Sequence, residues 1–573
     1  MKRLFSYIKP YTWYILLTVA IKFLATTFEL FIPSLMQTII DDKAKAGAMG
    51  PIFVLGGLML LCAALSLGGN VLANRMSAIS AGKITKKLRH DLFSKLENLS
   101  AHQMDELTTS SAVSRLTSDS YNFNQMLARI QRMGIRAPIL LIGGMGMMLA
   151  MDWVLALVLV CLLPLLSGVV YWAIRKTLPL RTKGQSILDD MVQVSQENIT
   201  GIRVIKALSK TEHEKGRFNQ VNTNLANTMM KADMFAILPN PLSNLFLYIG
   251  LTMVIVVGAH RVSAGQIDVG VIIAFIQYFS MITMATMGIT RIFVMWAKGE
   301  ASAQRIADVL ETEPELQVEE SSAEPAENAP HIEFKDVTFS YTGVGTNVEN
   351  LSFRLEHGQT LGILGPTGSG KSTIINLLLR FYDPGEGRIL IDGQDIKTID
   401  YETLREKFGV VFQNGFVMGG TIAGNLRFFR DIPDEQLEAA AEHAQAEFIR
   451  EKEGQMEAEV AVRGNNLSGG QKQRLLIGRA LAGNPEILIL DDASSALDYQ
   501  TDANLRRALR ENYRDTTTIM VAQRISSLQH ADLILVLEEG KVIGAGTHEQ
   551  LLEACEEYRI IAETQMGEGK EAM

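Results

Sequence analysis

The sequence predicts two domains in one chain: an all-α domain of six membrane-spanning helices, followed by an α/β domain built on a phosphate-binding loop. Three observations predict this combination. Apolar stretches long enough to cross about 30 Å of hydrocarbon recur through the first 300 residues. After Leu310 the pattern changes to short β-rich runs that alternate with helical ones, which is typical of parallel α/β domains. The third is a glycine-rich loop, Gly365–Thr373, that follows a predicted apolar strand at 360–364 and opens a predicted helix at 373–380.

The composition supports the membrane assignment and excludes other classes of protein. Apolar residues make up 47% of the 573 residues, and charged residues only 20%. A chain with these averages has either a very large core or part of its length in lipid. The net charge of −9 argues against nucleic acid as a partner. The three cysteines are odd in number and far apart, which excludes a disulfide framework.

The apolar stretches and the charges between them predict how the chain crosses the membrane. Two of the connections are long and rich in Lys and Arg, which mark the cytoplasmic side. Both long connections, the N-terminus and the C-terminal half are therefore expected in the cytoplasm. The first stretch is too long and too charged for a cleaved signal peptide, so it is interpreted as a retained membrane helix. The six stretches lie at 13–39, 52–74, 134–151, 153–174, 236–259 and 266–296.

The domain bounds follow from the change in composition. Residues 1–310 are predicted to form the transmembrane domain. Residues 311–330 are acidic, contain proline and lack apolar periodicity, which predicts a flexible linker. Residues 331–573 are predicted to form the nucleotide-binding domain, with strands in runs such as TLGILG and EILILDD.

The phosphate loop carries the strongest chemical signal. Its glycines let backbone N–H groups wrap the phosphates of a nucleotide. Lys371 is expected to reach the terminal phosphates, and the Ser372 hydroxyl to coordinate Mg²⁺. The predicted nucleotide-binding residues of the loop are Gly365, Pro366, Thr367, Gly368, Ser369, Gly370, Lys371, Ser372 and Thr373.

Two further motifs follow the phosphate loop. A buried strand delivers Asp491 to its end, about 120 residues after the loop, where its carboxylate can hold Mg²⁺ through water. The segment Leu467–Gln471 reads LSGGQ and runs into a helix. Alone, this segment could be a helix-capping turn. Together with the other two motifs it specifies one family of ATPases.

On these motifs the whole chain resembles the ATP-binding-cassette (ABC) transporters, and it looks like a bacterial half-transporter of the exporter type. The resemblance implies ATP and Mg²⁺ as cofactors, and two cassettes that sandwich two ATP molecules. Each nucleotide lies between one chain's phosphate loop and the other chain's LSGGQ, here Ser468, Gly469, Gly470 and Gln471. It also implies that Tyr341 stacks on adenine and that Gln413 senses Mg²⁺ and the attacking water. Short helices around 101–110 and 204–214 are expected to dock into the cassettes.

Three places depart from the family pattern. The catalytic glutamate is replaced by Asp492, whose carboxylate falls about 1 Å short of the water, a misplacement worth on the order of 100-fold in rate. The switch histidine is replaced by Gln523, which cannot carry the proton or charge of histidine. The segment Glu459–Gly464, ahead of LSGGQ, lacks the family's internal glycine and glutamate.

These departures predict a heterodimer. The chain's own site, with Asp492, Gln523 and Gln413 in the catalytic positions, binds ATP but hydrolyses it slowly. Its LSGGQ completes a competent site on a second half-transporter. The alternative is a symmetric homodimer in which Asp492 is the working base.

The sequence predicts the cargo only by class. Lys22 and Glu29 are costly in lipid, about 2.5–3.5 kcal/mol each, and about 10 Å apart they are too distant to pair. Either both face a watery cavity, or each finds a partner elsewhere. Export of drugs or other small amphipathic compounds across the bacterial inner membrane is the leading hypothesis. The alternatives are lipid or glycolipid flipping, peptide export, siderophore import, a soluble cassette ATPase, and a regulatory ATP-binding subunit.

Overall fold

The computed structural model describes residues 2–44, 49–319 and 329–571. The chain forms two compact units. The membrane unit comprises Met1–Asn98 and Thr108–Thr312, and the cassette unit comprises Leu99–Leu107 and Glu313–Met573. Residues 320–328 of the predicted linker 311–330 lie outside the described residues, so the predicted domain bounds stay a prediction.

The membrane unit is α-helical, because a backbone in hydrocarbon must satisfy its N–H and C=O groups within its own segment. As predicted, the described residues contain six helical segments long and apolar enough to cross a membrane: Leu4–Asp42, Met49–Glu97, Thr109–Met151, Trp153–Thr200, Thr211–Ser263 and Val269–Thr286. In chain order, the α-helices up to residue 312 are α1 (Lys2–Ile8), α2 (Thr12–Thr38), α3 (Met49–Glu97), α4 (Ala101–Leu107), α5 (Thr109–Ser114), α6 (Ser120–Met151), α7 (Trp153–Thr200), α8 (Ile202–Ala207), α9 (Thr211–Ile237), α10 (Pro239–Ser263) and α11 (Val269–Glu311).

Several of these helices extend well beyond the apolar stretches that predicted them. The stretch 52–74 lies in α3, which continues to Glu97, and the stretch 153–174 lies in α7, which continues to Thr200. The charged continuations stay helical because Lys, Arg, Glu and Gln are good helix formers. Apolar length marks only the part of a helix that can lie in lipid, so it understates the full helix.

Lys22 and Glu29 of α2 each find a partner on another helix. Lys22 is 3% exposed, and its ammonium donates to Asn70 Oδ1 at 2.6 Å and to Asn74 Oδ1 at 3.2 Å, both on α3. Arg136 of α6 donates to Glu29 Oε1 at 2.7 Å. The sequence left open whether both side chains face a watery cavity or each finds its own partner. The structure shows the second arrangement. Such pairing offsets part of the cost of polar groups inside a membrane domain.

The cassette unit contains two main sheets and a short two-stranded ladder. Its strands are β1 (Ile332–Phe339), β2 (Val348–Leu355), β3 (Thr360–Leu364), β4 (Glu386–Ile391), β5 (Gln394–Asp395), β6 (Phe408–Val411), β7 (Gly420–Thr421), β8 (Glu459–Val460), β9 (Ile487–Asp491), β10 (Thr517–Val521), β11 (Leu533–Glu538) and β12 (Lys541–Gly546). The first sheet is antiparallel, in the order β2-β1-β4-β5. The second has the order β12-β11-β3-β10-β9-β6 and is parallel except for β12. Strands β7 and β8 form the ladder.

The helices of the cassette unit after residue 312 cover the sheets and complete the α/β class that the sequence predicted. They are α12 (Lys371–Leu378), α13 (Tyr401–Glu406), α14 (Ile422–Arg427), α15 (Asp434–His443), α16 (Phe448–Glu451), α17 (Gly469–Leu481), α18 (Tyr499–Asn512), α19 (Ile525–Leu528), α20 (His548–Ala554) and α21 (Glu556–Glu571). Buried apolar residues of α12 share one core with residues of both main sheets.

Helix α12 is shifted relative to the predicted helix 373–380. It begins at Lys371, directly after the left-handed Gly370, and it ends at Leu378. Arg380 has a φ of +50°, which a right-handed helix does not accommodate. Its fully buried guanidinium donates to Ile396 O at 3.1 Å and to Gln317 O at 2.6 Å, so contacts distant in sequence end the helix early.

The sheet order decides where the functional motifs meet. Strands β3, β10 and β9 are neighbours and run parallel. The phosphate loop follows β3, Gln523 follows β10, and Asp491 ends β9. Because the carboxyl ends of parallel strands share one edge of a sheet, the three motifs converge there.

Candidate active site

The phosphate loop joins β3 to α12 and depends on glycine at two positions. Gly368 (φ +86°) and Gly370 (φ +99°) adopt the left-handed region, which strains residues that carry a Cβ. A Cβ on Gly370 would also lie 2.6 Å from Asn347 O. The loop therefore turns tightly into the N-terminus of α12, an arrangement that binds phosphate oxygens through backbone N–H groups.

Lys371 lies over this loop. Its ammonium donates to Gly365 O at 2.8 Å and to Pro366 O at 2.6 Å. Burial lowers the pKa of Lys371, and the carboxylates of Asp491 and Asp492 act in the opposite direction. The cation is thus within electrostatic range of two carboxylates, beside the loop that would cradle a nucleotide's phosphates.

Asp491 is the more buried of the two carboxylates at this edge. It is 6% exposed, and burial together with the neighbouring Asp492 raises its pKa. The Ser372 hydroxyl and the Gln413 backbone hydrogen-bond to it and oppose that rise. A buried carboxylate beside a hydroxyl is a donor set that suits Mg²⁺, so Asp491, Ser372 and Gln413 fit the ion and would hold it. A bound Mg²⁺ would neutralise part of the negative charge on the phosphates of the nucleotide.

Asp492 follows β9 with its backbone in the left-handed region, at φ +51°. Its N–H donates to Val521 O at 2.9 Å, which ties it to the end of β10. Burial raises the pKa of the Asp492 carboxyl, while Lys371 and Arg524 act against that rise. Aspartate tolerates a left-handed backbone better than glutamate does, so the residue type suits its conformation.

These groups line one cavity of about 220 Å³ at the carboxyl ends of β3, β9 and β10. Its lining residues are Asn347, Thr367, Gly368, Gly370, Lys371, Ser372, Thr373, Gln413, Asp491, Asp492, Val521, Ala522 and Gln523. The phosphate loop, the candidate Mg²⁺ ligands and the two departures Asp492 and Gln523 therefore share one space.

Tyr341 lies outside the lining of that cavity. Its ring packs edge-on to Phe339 and to Tyr382, with ring centroids 4.9 Å apart in both pairs. Its hydroxyl accepts a hydrogen bond from Asn376 Nδ2 at 3.0 Å. The ring is thus held on the core of the antiparallel sheet, and its role toward adenine stays a prediction.

The LSGGQ segment also lies outside that lining, at the start of α17. Ser468 caps the helix: its hydroxyl accepts from Gln471 N at 3.3 Å, and its own N–H donates to Gln471 Oε1 at 3.0 Å. A Cβ added to Gly469 would meet open space. The segment therefore caps a helix, as its sequence alone allowed, and within it Ser468 and Gly469 are exposed while Leu467 is buried.

Sequence reasoning missed Gln565, a residue of α21. It holds the loop 522–524 between β10 and α19, which contains Gln523 and is called the switch loop below. Its Oε1 accepts from Ile525 N at 2.8 Å, and its Nε2 donates to Gln523 O at 2.9 Å. The side chain thus clamps the backbone on both sides of Arg524. No local pattern identifies it, because Gln565 stands 42 residues from Gln523 on an ordinary helix.

Replacing Gln565 by alanine should loosen the switch loop. Each neutral hydrogen bond contributes about 0.5–1.5 kcal/mol, so amide exchange of Ile525 should accelerate by about fivefold. Hydrogen–deuterium exchange of the peptide that contains Ile525 measures this. Gln565→Glu is the matched control, because it keeps the acceptor for Ile525 N and loses only the donor to Gln523 O. Unchanged exchange in the alanine variant would show that the clamp does not restrain the loop.

Helix α4, which includes part of the predicted tip helix 101–110, is packed within the cassette unit. The Tyr382 hydroxyl donates to Asp105 Oδ2 at 3.0 Å, and His102 Nδ1 lies 3.1 Å from Glu315 Oε1. Burial, and then Asp105, raise the pKa of Tyr382. The other predicted tip corresponds to α8, which belongs to the membrane unit, and its docking stays a prediction.

Asp105→Ala should weaken coupling between ATP hydrolysis and transport. Loss of a hydrogen bond to a charged acceptor costs about 1.5–3 kcal/mol, less at this exposed position. We expect transport per ATP hydrolysed to fall by about fivefold in reconstituted vesicles, with ATPase activity largely retained. Tyr382→Phe removes the same bond from the other side, so the double variant should be no worse than either single one. Additive losses would contradict a shared role.

Comparison with known proteins assigns both halves. The model for the ABC transporter transmembrane region matches residues 15–286, and the ABC transporter model matches residues 348–495. The chain is 33% identical over 576 residues to the uncharacterized ABC transporter ATP-binding protein YfiB of Bacillus subtilis, across 100% of both chains. It is 30% identical to the ATP-dependent lipid A-core flippase of Nitrosococcus oceani, over 96% of this chain and 93% of that protein.

A solved structure extends the likeness to three dimensions. The structure of a bacterial Atm1-family ABC exporter with ATP bound superposes with a TM-score of 0.78 at 25% identity, covering 97% of this chain and 98% of that one. The fold, the motifs and the full-length relatives agree. The chain is a multi-pass membrane protein and a bacterial half-transporter of the ABC exporter family, in which a transmembrane domain is fused to an ATP-hydrolysing cassette that drives transport.

Proposed function

We propose that this chain is the slow-site subunit of a heterodimeric exporter. One observation carries the proposal: Asp492 and Gln523, the residues that replace the family's base and switch, line the same cavity as an intact phosphate loop. Within this one site, the residues that bind ATP match the family pattern, whereas the residues that would hydrolyse it do not. The chain's own site retains ATP, and hydrolysis takes place mainly at a second site shared with the partner.

The slow rate follows from the geometry of two side chains. Asp492 presents its carboxylate one methylene short of a glutamate's, and its position is fixed by the bond from its N–H to Val521 O. A base misplaced by about 1 Å costs on the order of 100-fold in rate. Gln523 lines the cavity with an amide that can donate a hydrogen bond but cannot carry a proton or charge.

The second site is proposed to use this chain's LSGGQ. Ser468 and Gly469 are exposed at the N-terminus of α17, a 13-residue helix whose dipole and free N–H groups favour phosphate. They lie outside the lining of the chain's own cavity. A partner's nucleotide is the ligand that this surface fits, and the partner is expected to carry the glutamate and histidine and an altered LSGGQ.

The proposed location is the bacterial inner membrane, with the N-terminus and the cassette in the cytoplasm. The Lys and Arg residues of the long connections between membrane segments support that orientation. The proposed cargo is a small amphipathic compound. Lys22 with its two asparagines, and the Arg136–Glu29 pair, place polar groups among apolar helices. Because these groups are already paired with one another, the cargo class is proposed from the likeness to ABC exporters.

Lipid or glycolipid flipping is the second candidate, since a lipid A-core flippase is 30% identical to this chain over nearly its whole length. The two candidates differ in a measurable product. Vesicles that hold the purified complex should accumulate an amphipathic dye when ATP is added outside. Movement of a labelled lipid between leaflets without dye accumulation would favour the flippase.

Co-purification tests the heterodimer. A tagged copy expressed in its native membranes should recover a second half-transporter in equal amount, with Glu and His at the positions of Asp492 and Gln523. Recovery of the chain paired only with itself, and hydrolysing ATP at ordinary rates, would overturn the proposal. Asp492 would then be the working base of a homodimer.

A further inference from the structure

A second cluster of potential metal ligands lies in the cassette unit, among residues that do not line the nucleotide cavity. His331 just before β1, His357 between β2 and β3, and Asp392 between β4 and β5 each offer one ligand atom, and these atoms lie within 4.8 Å of one another. The three residues come from separate connections, so the fold alone brings them together.

The hydrogen bonds of His331 decide which of its nitrogens is free. Its Nδ1 lies 2.6 Å from Thr517 Oγ1. The same hydroxyl accepts from Gly358 N at 3.1 Å and lies 3.4 Å from Glu356 O. In the tautomer with the proton on Nδ1, the imidazole donates to this hydroxyl and Nε2 presents a lone pair, as binding of a metal ion requires.

That lone pair has no partner among the described residues, although His331 is 0% exposed and Nε2 is fully buried. Buried polar atoms are almost always satisfied, so an orphaned one requires an explanation. A neutral imidazole whose other nitrogen is held by a hydrogen bond is the usual form of a histidine metal ligand.

The surroundings favour a cation. His357 Nε2 lies 2.9 Å from Asp392 Oδ1. Lys407 lies 3.6 Å from Asp392 Oδ2 and is held more closely by Glu486, at 2.5 Å. The two carboxylates outnumber the single lysine, so the cluster is negative before either histidine is counted.

We propose that His331, His357 and Asp392 form a binding site for a divalent transition-metal ion of the Zn²⁺ type. Two imidazoles and one carboxylate suit Zn²⁺, with water in the fourth position. The rings of His331 and His357 are stacked, 3.8 Å apart and 11° from parallel. Binding therefore requires the exposed His357 to turn, so that the ion replaces its contact with Asp392.

The site lies at the edge of the cassette opposite the nucleotide and would tie together the segments that flank β1, β2 and β4 of the antiparallel sheet. His331 directly precedes β1, and Thr517, which contacts it, begins β10. The nucleotide motifs follow the other ends of β3, β9 and β10. An ion here is expected to stabilise the cassette without entering the nucleotide cavity.

Zinc binding to the full-length protein tests the site, with a histidine-free tag and neither ATP nor Mg²⁺ present. Wild-type protein given ZnCl₂ should retain one ion per chain by elemental analysis after desalting, and its unfolding temperature should rise. His357→Ala and Asp392→Asn, both at accessible positions, should lose the ion and the shift. His90→Ala removes another exposed His–Asp pair and should change neither.

Thr517→Val tests the orienting hydrogen bond without changing a ligand. Loss of such a partner weakens metal affinity by about 10–100-fold, which a titration with CoCl₂ followed by visible absorption measures. The site is disproved if wild type retains no stoichiometric zinc, or if His357→Ala and Asp392→Asn retain as much as wild type. Because both of these variants change accessible residues, the test remains valid even if a His331 variant fails to fold.

Discussion

Gly469→Asp should abolish most ATP hydrolysis by the assembled transporter while leaving this chain's own cavity intact. A Cβ at this position meets open space, and an acidic residue in the first turn of α17 is favourable to the helix. The cassette should therefore fold normally. The new carboxylate would occupy the place proposed for the partner's phosphate, and losing one such anion site costs about 100-fold or more in rate.

Two control variants make the Gly469 result specific. Gly469→Ala adds a neutral Cβ in the same open space and should keep most of the activity. Asp492→Asn removes the carboxylate of the slow site and should change the complex's steady-state ATPase by no more than about twofold. Phosphate release from purified complexes measures all three. Full activity in Gly469→Asp, or a large loss in Asp492→Asn, would place hydrolysis in this chain's own cavity.

The double substitution Asp492→Glu with Gln523→His should create a second working site. The longer side chain returns the carboxylate toward the water, and histidine restores a group that can carry charge. With the partner's own catalytic glutamate replaced by glutamine, we expect hydrolysis at this chain's site to rise by about 100-fold. Single-turnover phosphate release in that background measures the gain.

A stability cost and a binding control accompany this prediction. Glutamate at the left-handed position 492 should cost about 1 kcal/mol, a small fall in unfolding temperature. Lys371→Ala in the same double variant should remove the gain, because the cavity then loses its phosphate-binding cation. No gain in the double variant would mean that other features, such as the altered segment ahead of LSGGQ, keep the site slow.

The elements that position the site could be predicted from local pattern. The strand predicted at 360–364 is observed as β3, and the strand delivering Asp491 is buried along its whole length. A continuous apolar run that ends in glycine or aspartate predicts a buried parallel strand. It also predicts that a functional residue lies at the carboxyl end of that strand. The convergence of the phosphate loop, Asp491 and Gln523 also needs β3, β10 and β9 to be neighbours, which only the sheet order shows.

The remaining features depend on contacts between residues far apart in the sequence. Lys22 bonds to Asn70, 48 residues away, and Gln565 clamps a loop 42 residues before it. Arg380 ends α12 early because its buried guanidinium binds the backbone of Gln317 and Ile396. Periodicity and motif spacing carry no information about such pairings, since they depend on how the packed elements approach one another.

Nucleotide content after a single turnover tests the asymmetry of the two sites most directly. The purified complex would be loaded with Mg²⁺ and radiolabelled ATP, allowed one turnover, desalted, and analysed for bound ATP and ADP. We expect one intact ATP to remain per complex, and Lys371→Ala to remove it. Hydrolysis of both nucleotides at the same rate would contradict a slow site at Asp492.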